Sequence, residues 1–239
     1  MKNKSITRRQ LCKLGAATIS GLSCPSLFFL SAPAVAQAYP NRPIKMISPW
    51  TPGGGTDLVG RNLATAMSQI LGQSIIYENK PGGGNNIGTE YVIRSAPDGY
   101  TLNMTNPANA INATLYKNLP FNFINDTVPV AGVIRTPNVM VVTSALPAKN
   151  VEEFIAYCKA NPTKVNMASS GSGSSIHLSG ELFKIMTGCK MAHIPYKGAG
   201  PALNDLIAGQ VQVMFDNLPS SAGFIKDGRI RALAVTTST

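Results

Sequence analysis

The chain has 239 residues, 44% hydrophobic and only 13% charged, which is apolar enough for one large domain or two small ones and carries about half the usual ~25% of charged residues. The formal net charge is +10, but Lys2, Lys4, Arg8, Arg9 and Lys13 all precede residue 39, leaving 16 basic against 11 acidic residues beyond it, a net of +5. That remainder holds no run of basic residues interleaved with aromatics, which argues against nucleic acid as a partner.

Residues 1–38 read as an export signal: a basic start, an apolar stretch from Leu14 to Leu30 broken by Pro25, and small residues in "APAVAQA" that suit cleavage after Ala36 or Ala38. "ITRRQLCKLG" carries the paired Arg8 and Arg9 of a twin-arginine signal, with an ordinary secretory signal as the other reading. The apolar stretch is short for the ~20 residues of a membrane span. Cys12 and Cys24 leave with the signal. Cys158 and Cys189 remain, and an exported chain accommodates them either as a disulfide or as two buried thiols.

Beyond the signal, "RPIKMISPW" predicts a strand that ends at the loop "TPGGG". "TDLVGRNLATAMSQILG" predicts a helix, with Leu58, Val59, Leu63, Met67, Ile70 and Leu71 at three- and four-residue spacing and Gly72 closing it. "QSIIYENK" is a second strand, running into "PGGG" again; "NNIGTEYVIRSA" is a second helix, and "YTLNMTN" a third strand. The order β-loop-α, β-loop-α, β marks a parallel sheet flanked by helices. Residues 105–145 read as a β-rich connection containing a buried strand at Val139–Val142. Asn150 caps a helix whose first turn holds Glu152 and Glu153, where the helix dipole favours acids. The βα rhythm then resumes: strand "KVNMASS", loop "SGSGSS", helix "IHLSGELFKIMTG", strand "KMAHIPY", loop "KGAGP", helix "ALNDLIAG", strand "QVQVMFDN", helix "PSSAGFIKDG" and strand "RIRALAVTT". Two βαβ sets flanking a connection predict two α/β lobes, residues 39–140 and 141–239.

The glycine loops satisfy neither nucleotide motif. From Gly55 the spacing reaches Gly60, but Arg61 and Asn62 stand where a phosphate loop needs Lys and Ser or Thr. Gly53-Gly54-Gly55-Thr56-Asp57-Leu58 lacks the third glycine of a dinucleotide fingerprint, and Gly83 and Gly88 precede Thr89 instead of Lys. The underlying physics survives, since glycines admit a ligand close to the backbone and a helix N-terminus favours negative charge. Two copies, Pro52–Gly55 and Pro81–Gly84, at the ends of adjacent parallel strands suit a small carboxylate. Ser169, Ser170, Ser172 and Ser174 add hydroxyl donors in the second lobe. A nucleophilic Ser172 or Ser174 with His177 is the sharper alternative, but the elbow G-x-S-x-G is absent and Glu181 fits a helix pair better than a triad. His193 reads as a core histidine, Asp57 as a pin for its loop or a contact for a ligand ammonium, and Tyr196 and Lys197 as a cover over a ligand.

Taken together, "YPNRPIKMISPWTPGGGTDLVGR", "YENKPGGGNNIGTEYV", "APDGYTLNM", "ASSGSGSSIHLSGELF" and "HIPYKGAGPALNDLIAGQVQVMFDN" resemble the Bug-type periplasmic solute-binding receptors of tripartite tricarboxylate transporters, from Tyr39 to the end. The resemblance implies two lobes of the periplasmic-binding-protein type, each a mainly parallel sheet flanked by helices. It implies a non-enzymatic, monomeric receptor without cofactor or metal. Such a receptor captures a small carboxylate (a di- or tricarboxylate or an acidic amino acid) in the periplasm for a membrane permease. A sensor that presents its ligand to a membrane histidine kinase shares the same features.

Carried over by motif, the ligand-binding positions are Pro52, Gly53, Gly54, Gly55, Thr56 and Asp57 in the first loop and Gly82, Gly83, Gly84 and Asn85 in the second. The second lobe adds Ser169, Ser170, Gly171, Ser172, Gly173, Ser174, His177, Tyr196, Lys197, Gly198 and Asp216. The family continues past "RALAVTTS" with a segment that returns to the first lobe, so a sequence ending at Thr239 reads as a fragment or a truncated product.

Overall fold

Two βα units in succession build the first sheet. In the computed structural model, which describes residues 39–237, β1 (Ile44–Ser48) runs into the first glycine loop and α1 (Gly55–Leu71) brings the chain back. β2 (Ile75–Asn79) then pairs parallel with β1, Ile44 opposite Ile75 and Ser48 opposite Asn79. Gly72 ends α1 at φ +64°, a left-handed cap that a Cβ would disfavour. A short 3-10 turn (Gly83–Asn85) and α2 (Asn86–Ile93) lead to β3 (Thr101–Asn103), which pairs parallel on the other side of β1, giving the order β2-β1-β3. The expected export signal, residues 1–38, lies outside the described residues.

The connection differs from the β-rich expectation. Residues Pro107–Leu115 form a helix, α3, because Asn106 and Asn109 make a reciprocal capping box and Pro107 sits where its missing N–H costs nothing. The valines that follow have strand-like spacing but form no strand, and Val128 and Val130 are 86% and 81% exposed. Pro129, Gly132 and Pro137 interrupt them, and a proline cannot donate to a ladder. The chain regains order at β4 (Asn138–Thr143), all six of whose residues are buried. The expected division at 140/141 cuts this strand, which belongs wholly to the second sheet.

The second sheet has the order β6-β5-β7-β4-β8. Its elements are α4 (Val151–Ala160), β5 (Asn166–Ser169), α5 (Ser175–Thr187), β6 (Ala192–Pro195), α6 (Ala199–Ile207), β7 (Val213–Asn217), α7 (Leu218–Lys226) and β8 (Ile230–Val235). β4 is antiparallel to both neighbours, while the other four strands run one way. Alternate residues of β4 feed two cores, as expected of a sheet covered on both faces. Met140 and Val142 pack with Phe154, Cys158, Met167 and Phe215. Val139 and Val141 pack with Ile176, Leu203, Leu206 and Met214. Cys158 and Cys189 are adjacent free thiols in the first of these cores, where burial and the neighbouring Cys189 push the Cys158 thiol up to about 12.

Candidate functional site

The two glycine triplets have different environments. In the first loop, Asp57 is buried and its carboxylate accepts the Gly53 N–H at 3.0 Å, Arg61 Nε at 3.0 Å and Asn79 Nδ2 at 2.8 Å. Burial alone would raise this carboxyl, but the bonds from Arg61, Asn79 and Gly53 outweigh it and hold it below its ordinary value. Asp57 thus pins its own loop. The loop in turn packs on the start of α6 and α7. A Cβ on Gly54 would lie 3.5 Å from that of Ala199, and one on Gly55 3.5 Å from that of Asn217. A Cβ on Gly200 would fall 2.6 Å from the Pro52 carbonyl oxygen, and one on Gly198 would overlap Thr51 Oγ1. Pro52, Gly53, Gly54, Gly55 and Gly198 therefore join the two lobes, while Thr56 and Asp57 bond within the first lobe, to Tyr77 and to Gly53, Arg61 and Asn79 respectively; none of the seven lines the cleft described next.

The second triplet lines a cleft instead of a seam. Gly82, Gly83, Gly84 and Asn85 have φ of +128°, +57°, +63° and +78°, four successive residues that an ordinary side chain would strain. α3 holds this turn. Asn112 Nδ2 lies within 3.0 Å of Gly84 O, Asn85 Oδ1 and Asn86 Oδ1, while Asn109 donates to Thr89 Oγ1 at 2.7 Å, which donates to Asn85 O at 3.0 Å. Ser172 O stands across from Gly84, and Ser170, Gly171, Pro195, Tyr196, Lys197, Trp50 and Tyr116 complete the lining. Together they enclose about 240 Å³. A larger groove, about 560 Å³, runs beside α1 and β2 past Arg61, Ser68 and Tyr77, but only the smaller cleft has walls from both sheets. Trp50, Tyr116 and Pro195 were not among the sequence-derived positions. Trp50 directly precedes the first loop, a signal that was available, whereas nothing local marks Tyr116.

The remaining second-lobe positions lie behind the cleft wall. Ser174 caps α5, accepting the His177 N–H at 3.1 Å and donating to Gly171 O at 2.7 Å. Ser169 is fully buried; its hydroxyl lies 2.6 Å from His193 Nε2 and accepts the Gly171 N–H at 3.1 Å. His177 Nδ1 accepts the Gly173 N–H at 3.3 Å. No imidazole meets the hydroxyl of Ser172 or Ser174 among the described residues, so the serine–histidine nucleophile is not assembled. Tyr196 lines the cleft, packs against the core of the second sheet and donates its hydroxyl to Asp205 at 2.6 Å; burial and Asp205 push the phenol up to about 12. Asp216 does not line the cleft. It is fully buried, accepts from Ser220 and Ser221 through one oxygen, and leaves the other without a partner. Burial outweighs those two bonds and pushes its carboxyl up to about 6.

His177, Glu181 and His193 offer ligand atoms within 4.8 Å of one another, the one metal-like trio among the described residues. The imidazole rings are stacked at 4.0 Å with only 21° between their planes, so their in-plane lone pairs do not converge. Lys184 also sits on both oxygens of Glu181, at 2.8 and 2.9 Å. This arrangement does not suit a cation. The cleft itself suits a small anion, with backbone amides on both walls, hydroxyls on one and the exposed Lys197 at the rim.

A family model described as "Tripartite tricarboxylate transporter family receptor" matches residues 59–239. Protein BugT of Bordetella pertussis is 40% identical over 211 residues, 87% of this chain and 65% of its own length. The chain thus spans about 65% of the curated relatives it matches first. A solved structure titled as Rpa4515 of R. palustris with adipate superposes with a TM-score of 0.82 at 39% identity, covering 84% of this chain and 68% of that one. MatC of Rhodopseudomonas palustris with bound malate superposes at 0.78 and 29% identity over the same shares.

Proposed function

The chain belongs to the tripartite tricarboxylate transporter receptor family and has the α/β fold of periplasmic binding proteins, and from that premise we propose that it captures a small dicarboxylate in the cleft between Gly82–Asn85 and Ser170–Ser172. The observation that carries this reading is the pairing of two amide-rich walls from different sheets around about 240 Å³, less than the ~300 Å³ at which drug-sized pockets begin. The adipate and malate held by the two related structures support the same class of ligand. Backbone amides of the 82–85 turn and of Ser170 and Ser172 hold one carboxylate, the Gly171 amide being taken by Ser169, and Lys197 attracts the other at the rim. In this reading the receptor is exported, works as a monomer without cofactor or metal, and delivers its ligand to a membrane permease after the lobes close on it.

Calorimetric titration with malate, adipate, succinate, citrate and glutamate tests the proposal. We expect binding of at least one dicarboxylate that weakens about tenfold or more in Lys197→Ala, the scale of a lost hydrogen bond to a charged group. Absence of heat with all five would refute it.

A further inference from the structure

Both ends of the second cleft wall are tied to one feature behind it. Gly173 N–H donates to His177 Nδ1 at 3.3 Å. Gly171 N–H donates at 3.1 Å to Ser169 Oγ, which lies 2.6 Å from His193 Nε2. The two imidazoles, one from the first turn of α5 and one from β6, stack at 4.0 Å. Neither lines the cleft, but Ser170, Gly171 and Ser172 are held between their two attachments.

We propose that the His177–His193 stack is a positioning element that fixes the Ser170–Ser172 wall and releases it on taking up a proton. The proposal rests on the reading that this cleft binds a carboxylate. A neutral His177 can accept from Gly173 at Nδ1; an imidazolium carries hydrogens on both nitrogens, and two donors then face each other. A second proton on His193 would set two like charges 4.0 Å apart. The charged groups facing the stack are Glu181, 3.7 Å from His177 Nε2, and Lys184, which is paired with Glu181 and opposes it. β5, the 170–173 loop and α3 present only hydroxyls, amides and apolar groups to this region. Burial outweighs the pull of Glu181 and lowers both histidines, His193 to about 4 with His177 as a further cause. The resting stack at neutral pH is therefore uncharged, and acid is the condition that loosens the wall.

Two substitutions separate positioning from plain structure. His177→Asn keeps an acceptor near Nδ1 but cannot titrate; His177→Ala removes the acceptor. With malate as probe, we expect wild type to lose affinity from pH 7.5 to pH 4.5, a range that reaches down toward the lowered histidines, by about tenfold more than His177→Asn, a comparison in which the ligand's own protonation cancels. His177→Ala should bind about tenfold more weakly at both pH values while circular dichroism stays native. In ligand-free protein, hydrogen exchange at the Gly173 amide, corrected for intrinsic rate, should accelerate about tenfold on the same acidification in wild type and not in His177→Asn. This last measurement reads the stack even if malate does not bind, so failure of the binding proposal and failure of this one are distinct. Identical pH dependence of Gly173 exchange in wild type and His177→Asn would overturn the inference. So would a rise in melting temperature with zinc chloride that is lost in His193→Ala, which would make the trio a metal site instead.

Discussion

The two sheets bury their hydrophobic residues very differently. The five-stranded sheet has a core on each face, and its interior strand β4 is buried at every position. The three-stranded sheet has a core of Met46, Ala64 and Met104, with Leu63, Met67, Ile75, Tyr77 and Leu102 only partly covered. Ile70 on α1 is 83% exposed. The second lobe can therefore hold its shape through its own packing, whereas the first draws much of its order from polar pins such as Asp57 and from the seam with α6 and α7. The cleft inherits this contrast. Its second wall stands on a packed sheet and is adjusted by side chains; its first wall is a run of left-handed residues held by asparagines.

Truncating one core residue in each lobe should break the symmetry most visibly. Phe154→Ala, fully buried, should lower unfolding free energy by about 3–5 kcal/mol, whereas Met104→Ala, 8% exposed beside few partners, should cost about 2 kcal/mol. Equal costs in urea unfolding would mean the first lobe is better packed than its sparse core implies.

The buried carboxylates sharpen the comparison further. Asp57 is held charged by its three donors, so its contribution is present above its unfolded value of 3.8 and lost only as pH falls below it. Asp216 is raised to about 6, so its contribution is complete below 3.8 and lost as pH rises through 6. His193 is lowered from 6.5 to about 4, so the stability it carries is complete above 6.5 and lost as pH falls toward 4. The last two slopes oppose each other within the same lobe, and wild-type stability should vary little between pH 4 and 6. Asp216→Asn removes one of them. We expect it to be more stable than wild type at pH 7 by about 2–3 kcal/mol and to lose stability as pH falls from 6.5 to 4. Parallel wild-type and Asp216→Asn profiles would show that Asp216 does not titrate in this range.

The same contrast explains how much was legible in the sequence. The βα order, the cap at Asn150 and the Gly72 terminus are local signals, and the elements appear where those signals stand; the cap at Ser174 is visible only in the structure. α3 lies in a stretch whose residues read as a β-rich connection; the reciprocal pair Asn106 and Asn109 is the local sign of the helix. The two PGGG triplets could not be told apart. What distinguishes them is the arrival of Gly198 and Gly200 against the first, about 145 residues later in the chain, a contact that no spacing encodes. Asp216 is a position that the motif resemblance places in the site, but its carboxylate is turned inward to Ser220 and Ser221.

The smallest predicted effect tests the two walls directly. At Gly84 the backbone is left-handed, φ +63°, and a Cβ would fall 2.5 Å from the Tyr116 hydroxyl and 3.2 Å from Ser172 O. Gly84→Ala must therefore either strain the turn or push the walls apart, at roughly 1–2 kcal/mol, which reads as about a tenfold loss of dicarboxylate affinity. At Ser170 the wall's amides do not depend on the hydroxyl, and the loop remains tied at Gly171 and Gly173. Ser170→Ala should weaken binding by no more than about threefold, the range of a single neutral hydrogen bond. If instead Ser170→Ala is the more damaging change, the hydroxyls and not the backbone carry recognition. The left-handed turn at 82–85 would then be an adaptation that lets the lobes approach closely, the role that Gly53–Gly55 fills at the seam.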